Sequence, residues 1–336
     1  MKVAVIGTGS WGTSLAQVLA DNKHDVTMYG IDDEEVNEIN SGKNTKFFEG
    51  TSINPHIKAT TDLKEAVVGA KAIVLVVPTK VTSSVLSEIV PFLDEANKVY
   101  FINASKGFDP KTNDRMSNTI RAIIPEKYRY EVASIIGPSH AEEVILRMYT
   151  AIASVSIDLE VAKFVQKLFS NDYVRLYTLQ DEVGAEYGVA IKNILALCSG
   201  IISGIGLGDN TRAALLTRGL AEMIRYGMAK GGEMETYLGL TGIGDLIVTA
   251  TSPHSRNFQA GYKIGQEGSS KSVMDDTRTT IEGVRTCKVI YEDGQANKID
   301  LPIINACYHV LFENEDPKEA IKKLMNRDLT AERYVM

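Results

Sequence analysis

The sequence predicts an α/β protein with two domains. Residues 1–180 are predicted to form a domain built on a doubly wound, mostly parallel sheet. Residues 181–336 are predicted to form an all-helical domain. In the first part, short apolar runs alternate with segments of helical spacing, the order that places helices on both faces of a parallel sheet. Past Thr178 the strand signals stop while helical spacing continues. A chain of 336 residues is long enough for two such domains.

The composition is that of an ordinary globular protein, with 44% hydrophobic and 24% charged residues. The net charge of -7 argues against a general nucleic-acid binder and requires local positive charge to hold any anionic substrate. The three cysteines, Cys198, Cys287 and Cys307, have the spacing of neither a disulfide framework nor a zinc site. We expect no metal site, a reducing cytoplasmic compartment, and no signal peptide because the chain enters a strand at Lys2.

The first strand leads into a glycine-rich turn. Lys2–Ile6 is a short apolar run, Gly7–Gly12 carries the pattern G-x-G-x-x-G, and Thr13–Asn22 shows helical spacing. Glycines in this context permit a tight turn and the close approach of a pyrophosphate to a helix N-terminus. The sequence thus predicts a dinucleotide site. For Ser10 and Trp11, the alternative is that they only fill the turn and pack in the core. The members of the predicted site are Gly7, Gly9, Ser10, Trp11 and Gly12.

Acidic residues follow the second predicted strand, Val26–Tyr29. Asp32 lies about 20 residues after Gly12, where an acid commonly accepts a hydrogen bond from the adenine ribose 2′-hydroxyl of NAD. No arginine or lysine lies between Val26 and Gly42, which favours NAD over NADP. Alternatively, Asp32 and the acids after it only begin a helix, whose dipole favours negative charge.

Loops at the ends of two later strands carry candidate substrate groups. Lys106 follows the predicted strand Val99–Asn103, and Gly137–His140 follows Ala133–Ile136. Ligands of open α/β sheets bind beyond the carboxyl ends of strands, so Lys106 is a site candidate, with a surface loop lysine as the alternative. His140, alone in a turn, is weak evidence for catalysis. The other predicted strands are Ala72–Val77, Ala151–Val155 and Tyr173–Thr178.

One charged side chain, Lys192, lies between Tyr187 and Gly208. It is off the apolar stripe of its helix, on a face of nearly all small residues, which would let another group come close. Burial disfavours the charged form of a lysine and so prepares it for proton transfer. The alternative is a lysine whose stem follows the surface to water. The apolar run Ile194–Gly208 is too short and too rich in glycine to predict a membrane span.

Two polar motifs follow in the second domain. Gly239–Leu246 predicts a turn that carries an acid, Asp245. Ser255 is predicted to cap the next helix and to place Arg256 and Asn257 at its N-terminus. Backbone donors, a guanidinium and the helix dipole there suit a phosphate, with a solvated loop arginine as the alternative. Helices are predicted at Thr211–Lys230, Asn305–Phe312 and Pro317–Met325, with mixed helix and loop signals over Met274–Asp300.

Seven segments taken together resemble those of the bacterial NAD(P)-dependent glycerol-3-phosphate dehydrogenases. The resemblance extends in order from residue 1 to about residue 330, and its most specific part is Gly188–Asn210. The other segments are Gly7–Gly12, Ala104–Gly107, Gly137–Glu142, Leu220–Met223, Gly242–Asp245 and Ser255–Asn257.

The resemblance implies an N-terminal Rossmann domain, an all-helical C-terminal domain and a homodimer. It implies reversible reduction of a phosphorylated triose, dihydroxyacetone phosphate, to sn-glycerol 3-phosphate for phospholipid synthesis, with NAD(H) or NADP(H) as cofactor. By position, Lys192 matches the general acid/base; as a hypothesis, Lys106 stabilises the developing charge and Asp245 positions a lysine. The implied substrate contacts are Lys106, Gly137, Ser139, Lys192, Asp245, Ser255, Arg256 and Asn257. The implied nucleotide contacts are Ser10, Trp11, Lys106, Ala141, Arg256, Thr280 and Glu282.

Three positions depart from the family pattern. Ile31 stands where a histidine or arginine often helps to accept the 2′-phosphate of NADP, which leaves the cofactor preference open. Ser203 replaces an acid and Cys198 a small residue, and the sequence offers no functional reason for either.

Two other functions stay open. A β-hydroxyacid dehydrogenase of the 6-phosphogluconate type would also use a helix lysine but needs a carboxylate site. A non-catalytic NAD(H) sensor would not need this set of ionisable groups.

Overall fold

The computed structural model describes residues 1–253, 255–276 and 281–332. The chain divides into two compact units, Met1–Glu182 and Val183–Met336. In the described part of the chain, eight strands form one sheet, which lies in the first unit. They are β1 (Lys2–Ile6), β2 (Asp25–Tyr29), β3 (Lys58–Thr60), β4 (Ala72–Leu75), β5 (Tyr100–Asn103), β6 (Ala133–Ile136), β7 (Thr150–Val155) and β8 (Val174–Leu179).

The strand order is β3-β2-β1-β4-β5-β6-β7-β8. Neighbouring strands are parallel except β6 and β7, which are antiparallel. The order reverses at β1, because the chain first winds outwards to β3 and then returns to the other side through β4. The predicted doubly wound, mostly parallel sheet is therefore confirmed. The sequence did not predict β3, whose three residues carry too little apolar pattern.

Helices connect the strands and cover both faces of this sheet. Along β1, Val3 and Val5 join one hydrophobic cluster, whereas Ala4 and Ile6 join another, because successive side chains of a strand point to opposite faces. The helices of this unit are α1 (Ser10–Asp21), α2 (Asp33–Asn40), α3 (Leu63–Val67), α4 (Thr79–Ile89), α5 (Met116–Ile123), α6 (Ala141–Ile145) and α7 (Leu159–Phe169), with short 3₁₀ turns at Val90–Phe92 and Glu126–Tyr128. Residues of α1, α6 and α7 pack in the first cluster, and residues of α3, α4 and α5 pack in the second.

The second unit consists of helices in its described residues. The first, α8, begins at the last residue of the first unit. The helices are α8 (Glu182–Ile205), α9 (Asp209–Ala229), α10 (Met234–Tyr237), α11 (Asp245–Thr251), α12 (Arg256–Glu267), α13 (Lys271–Met274), α14 (Glu282–Ala296), α15 (Pro302–Phe312) and α16 (Pro317–Met325).

The prediction that Gly239–Leu246 forms a loop-like turn is wrong, because this segment is helical. Residues Leu240–Gly244 form a π-helical turn, and Asp245 is the first residue of α11. One of the glycines that suggested a turn serves close packing instead, since a Cβ atom at Gly242 would lie 2.1 Å from the Tyr237 carbonyl oxygen. Asp245 therefore projects from a helix and not from a loop.

Helix α8 is longer than the apolar run in the sequence suggested. With 24 residues, the whole helix is long and apolar enough to cross a membrane by length and composition alone, although the run Ile194–Gly208 considered in the sequence is not. However, 83% of its most apolar window is buried inside the protein. That burial is typical of the core helix of a helical domain.

Candidate active site

Lys192 and Asp245 form a buried ion pair in the helical unit. The Lys192 Nζ atom lies 2.5 Å from Asp245 Oδ1 and 2.8 Å from Thr249 Oγ1. The side chains of Lys192 and Asp245 are 2% and 1% exposed. The alternative of a lysine that extends to bulk water is therefore excluded. A buried ammonium needs a charged or hydrogen-bonding partner, and both are supplied by α11.

The small residues around Lys192 let a neighbouring segment approach α8 closely. A Cβ atom at Gly188 would lie 2.8 Å from the Thr241 carbonyl oxygen, so a larger residue does not fit there. Further along α8, the Ser199 hydroxyl donates a 2.7 Å hydrogen bond to the Ala250 carbonyl. These two contacts hold the segment from Thr241 to Ala250 along α8, with Asp245 between them and opposite Lys192. The small face thus has the effect inferred from the sequence.

Sequence reasoning did not find Thr249, which lies one helical turn after Asp245. Its hydroxyl accepts from Lys192 and lies 2.7 Å from the Asp245 carbonyl oxygen, to which it donates. The only sequence signal is the four-residue spacing, which is weak because threonines in helices commonly bond to the carbonyl four residues earlier. Thr249 thereby joins the lysine to α11 at a second point.

One carboxylate oxygen of the ion pair remains available. Asp245 Oδ2 is buried and has no hydrogen-bond partner among the described residues. Buried polar atoms of native proteins are nearly always hydrogen-bonded, so such an atom calls for an explanation. A hydroxyl group of a bound ligand would donate to it. The site can therefore present a proton-bearing amine and a hydrogen-bond acceptor to the same small molecule.

The N-terminus of α12 carries the predicted phosphate motif. Ser255 is the N-cap, as predicted, and its Oγ atom accepts a hydrogen bond from the Phe258 N–H group. Arg256, the first helical residue, is exposed. This twelve-residue helix therefore offers backbone N–H groups of its first turn, the positive end of its dipole and a guanidinium to an anion.

The side chain of Asn257 is committed to the protein itself. Its Nδ2 atom donates to Asn193 Oδ1 at 3.1 Å, and its Oδ1 atom accepts from the Gly283 N–H group at 2.9 Å. Asn257 therefore joins the N-termini of α12 and α14 to α8, next to Lys192 in the chain. Glu282, a predicted nucleotide contact, is the first residue of α14 and lies beside this junction. Thr280, the other predicted contact there, lies outside the described residues.

In the first unit, the glycine-rich turn has the shape that a pyrophosphate requires. Gly7 has a φ of +126°, and a Cβ atom at Gly12 would lie 2.3 Å from the Gly7 carbonyl oxygen, so both positions need glycine. A Cβ atom at Gly9 would meet no atom within 4 Å, so the turn borders open space there. The α1 N-terminus has no side-chain cap, so the first N–H groups, at Ser10 and Trp11, could bind an anion there.

The loops after β5 and β6 lie at the same sheet edge as this turn, because these strands run parallel to β1 and β4. Lys106 is half-buried in the first loop. In the second loop, Gly137 has a φ of +150°, and the Ser139 hydroxyl donates to the Gly137 carbonyl at 3.1 Å. Ala141 begins α6, and its carbonyl accepts a hydrogen bond from Ser14 of α1. Neighbouring His140 is the N-cap residue of α6.

Asp32 serves the local role that was the alternative to ribose binding. Its Oδ1 atom accepts from the N–H groups of Glu34 and Glu35, at 2.9 and 3.3 Å, and so caps α2. Ile31, just before it, is 88% exposed. Position 31 therefore carries an exposed isoleucine where members of the family often have a histidine or arginine.

Both halves of the chain match models of one protein family. The family model described as NAD-dependent glycerol-3-phosphate dehydrogenase N-terminus matches residues 2–162, and the model for the C-terminus matches residues 181–322. Glycerol-3-phosphate dehydrogenase [NAD(P)+] of Streptococcus uberis is 47% identical over 332 residues, covering 98% of each chain. The protein of the same name from Limosilactobacillus reuteri is 44% identical over 333 residues, again 98% of each chain.

The fold is also that of solved structures. A crystal structure of glycerol-3-phosphate dehydrogenase from Coxiella burnetii superposes with a TM-score of 0.88 at 32% identity, covering 97% of this chain and 99% of that one. The two family models match both halves of the chain, and the relatives match it along nearly their full length. The chain belongs to the NAD-dependent glycerol-3-phosphate dehydrogenase family.

Proposed function

We propose that this enzyme transfers a hydride reversibly between NAD(P)H and dihydroxyacetone phosphate, giving sn-glycerol 3-phosphate. The observation that carries the proposal is the buried Lys192–Asp245 pair, whose second carboxylate oxygen has no partner among the described residues. A buried ion pair is expensive to keep in a helical core, which favours a chemical over a purely structural role.

Lys192 is the general acid in the reducing direction. Its Nζ atom is positioned by the hydrogen bonds that it donates to Asp245 Oδ1 and Thr249 Oγ1, and it gives a proton to the oxygen of the substrate carbonyl as the alkoxide forms. In the oxidising direction it takes this proton back. Asp245 stabilises the ammonium, and its Oδ2 atom accepts from a substrate hydroxyl. The nicotinamide, when bound, supplies or accepts the hydride.

The phosphate of the substrate is the group that Arg256 recognises. The guanidinium binds two phosphate oxygens, while the first-turn N–H groups of α12 and the Ser255 hydroxyl add donors. Asn257 contributes through its backbone and by fixing the position of α12, since its side-chain amide is already bonded at both ends. Lys106, Gly137 and Ser139 are further proposed substrate contacts.

Several groups are proposed to hold the nucleotide. Gly7, Gly9, Ser10, Trp11 and Gly12 hold the pyrophosphate at the start of α1, where the open space beside Gly9 fits it. The Trp11 Nε1 atom is buried without a partner among the described residues and is a donor for the same ligand. The other proposed contacts are Asp32, Lys106, Ala141, Arg256, Thr280 and Glu282.

The test follows the oxidation of NADH and of NADPH with dihydroxyacetone phosphate. In Lys192→Ala, we expect turnover to fall about 10²–10⁴-fold, the usual contribution of a positioned acid/base, while NADH affinity is retained. The matched control is Lys263→Ala, which removes an exposed lysine of α12. Near-normal turnover of Lys192→Ala would remove this residue from the role. Cofactor binding by the wild type without any triose phosphate turnover would favour the sensor.

The proposal also covers the compartment, the oligomeric state and the metabolic role of the enzyme. We propose that the enzyme works in the cytoplasm as a homodimer and supplies sn-glycerol 3-phosphate to phospholipid synthesis. Support for a reducing compartment comes from the three cysteines, all of which are free and buried. Size-exclusion chromatography with light scattering tests the dimer, and a monomeric mass at assay concentration would contradict it.

A further inference from the structure

The first turn of α2 folds an acid back onto the glycine-rich turn. The Thr8 hydroxyl donates a 2.6 Å hydrogen bond to Glu35 Oε2. Lys46 forms an ion pair with the other oxygen, Oε1. The Glu35 side chain is only 13% exposed, whereas that of Lys46 is 60% exposed. The carboxylate of Glu35 is thus held at both oxygens, with a cation on its solvent side.

This carboxylate lies where the first two strands end. β1 and β2 pair in register up to Ile6 and Tyr29, and the Gly7 N–H group donates to the Tyr29 carbonyl at 2.9 Å. Just beyond, a Cβ atom at Gly30 would lie 2.5 Å from Thr8 Cγ2, so the ends of the two strands are in close contact. In doubly wound sheets that bind dinucleotides, the adenine ribose is recognised by an acid that follows the second strand.

The segment that carries Lys46 is anchored to the same turn. Asn44 is fully buried, and its Nδ2 atom donates to the Thr8 carbonyl at 2.9 Å and to Thr13 Oγ1 at 2.8 Å. Lys46 is two residues away, so its backbone position is set by the glycine-rich turn. The fold therefore keeps the backbone at Lys46 close to this turn, and the exposed side chain reaches the Glu35 carboxylate from there.

We propose that Glu35 makes the site select NAD(H) over NADP(H) and that Lys46 is a latent phosphate ligand which Glu35 neutralises. A ribose 2′-hydroxyl donates to a carboxylate, whereas a 2′-phosphate is repelled by it. Asp32 is the acid expected from the sequence, and its Oδ1 atom caps α2. Glu35 is the acid that the fold places against the glycine-rich turn, through its hydrogen bond with Thr8. This inference rests on the proposed placement of the pyrophosphate on the glycine-rich turn.

The experiment measures the affinities of ADP-ribose and 2′-phospho-ADP-ribose by calorimetry, without substrate or turnover. We expect the wild type to bind ADP-ribose more tightly. In Glu35→Gln the preference should shift towards the phosphorylated ligand by about tenfold or more, because Lys46 becomes free for a charge-assisted hydrogen bond. The gained affinity should fall as salt is added, and the double variant Glu35→Gln with Lys46→Gln should lose it.

The matched control is Glu34→Gln, which removes a negative charge from the same helical turn but leaves the Glu35–Lys46 pair in place. An equal shift in Glu34→Gln and Glu35→Gln would overturn the proposal in favour of general charge. A shift in Asp32→Asn but not in Glu35→Gln would overturn it in favour of Asp32. A wild type that prefers the phosphorylated ligand would also overturn it. Failure of the proposed reaction is detected separately, by absent turnover with dihydroxyacetone phosphate despite normal ADP-ribose binding.

Discussion

A buried glutamate should make the stability of the helical unit depend on pH. Glu222 of α9 is 2% exposed, and its two carboxylate oxygens accept hydrogen bonds from the N–H groups of Ile303 and Ile304 at the start of α15, at 2.7 and 3.1 Å. Burial raises the pKa of Glu222 to about 8, and the two N–H donors offset only part of this effect. The side chain is therefore protonated in the folded protein at neutral pH.

The direction of this pH dependence follows from the number of protons that Glu222 binds in the folded and unfolded states. The unfolded carboxyl has a pKa of 4.5, so between pH 4.5 and about 8 the folded state binds one more proton than the unfolded state. Stability is highest below that window and falls as the pH rises through it, by about 1.4 kcal/mol per pH unit. Integrated from pH 6 to pH 9, the free energy of unfolding should fall by roughly 3 kcal/mol on account of Glu222 alone.

The assay is urea unfolding of the wild type and of Glu222→Gln at several pH values from 6 to 9. Far-UV circular dichroism follows the loss of helix. Thiol reactivity reports on the helical unit specifically, because all three cysteines are buried in it. Since glutamine does not titrate here, the stability of Glu222→Gln relative to the wild type should rise by roughly 3 kcal/mol over this range. A constant offset from the altered hydrogen bonds does not affect that slope.

The control is Glu292→Gln, an exposed glutamate of α14. Its pH profile should run parallel to that of the wild type. If the profiles of Glu222→Gln and the wild type are also parallel from pH 6 to 9, the reasoning about the buried carboxyl is refuted.

Three further outcomes are expected. Thr249→Val should lower turnover and shift its pH profile, since Lys192 loses a hydrogen-bond partner; an unchanged profile would contradict a positioning role. Arg256→Ala should raise the KM for the triose phosphate without lowering the melting temperature, and an unchanged KM would speak against phosphate binding. Gly261→Ala should destabilise the helical unit in urea by about 1–3 kcal/mol or more, because its Cβ would lie 1.9 Å from the Leu197 carbonyl oxygen; wild-type stability would disprove this contact.

The sequence by itself determined the features that depend on neighbours along the chain. Apolar runs alternating with helical patterns indicated the doubly wound sheet, and the glycine-rich turn between β1 and α1 indicated the dinucleotide site. Ser255 was recognisable as an N-cap because a cap acts within three residues. The small face of α8 around Lys192 was visible because helical spacing decides which side chains share a face.

Tertiary structure alone decided which groups meet across long stretches of sequence. Lys192 is paired with Asp245, 53 residues away, and nothing in the local pattern of either residue specifies the other. The same holds for Asn257, whose amide bonds to α8 and α14, and for Glu222, which meets the start of α15. These pairings depend on which helices pack together, a choice made by the burial of whole apolar faces and by close glycine contacts. The charge states and hydrogen bonds of the site follow from that packing.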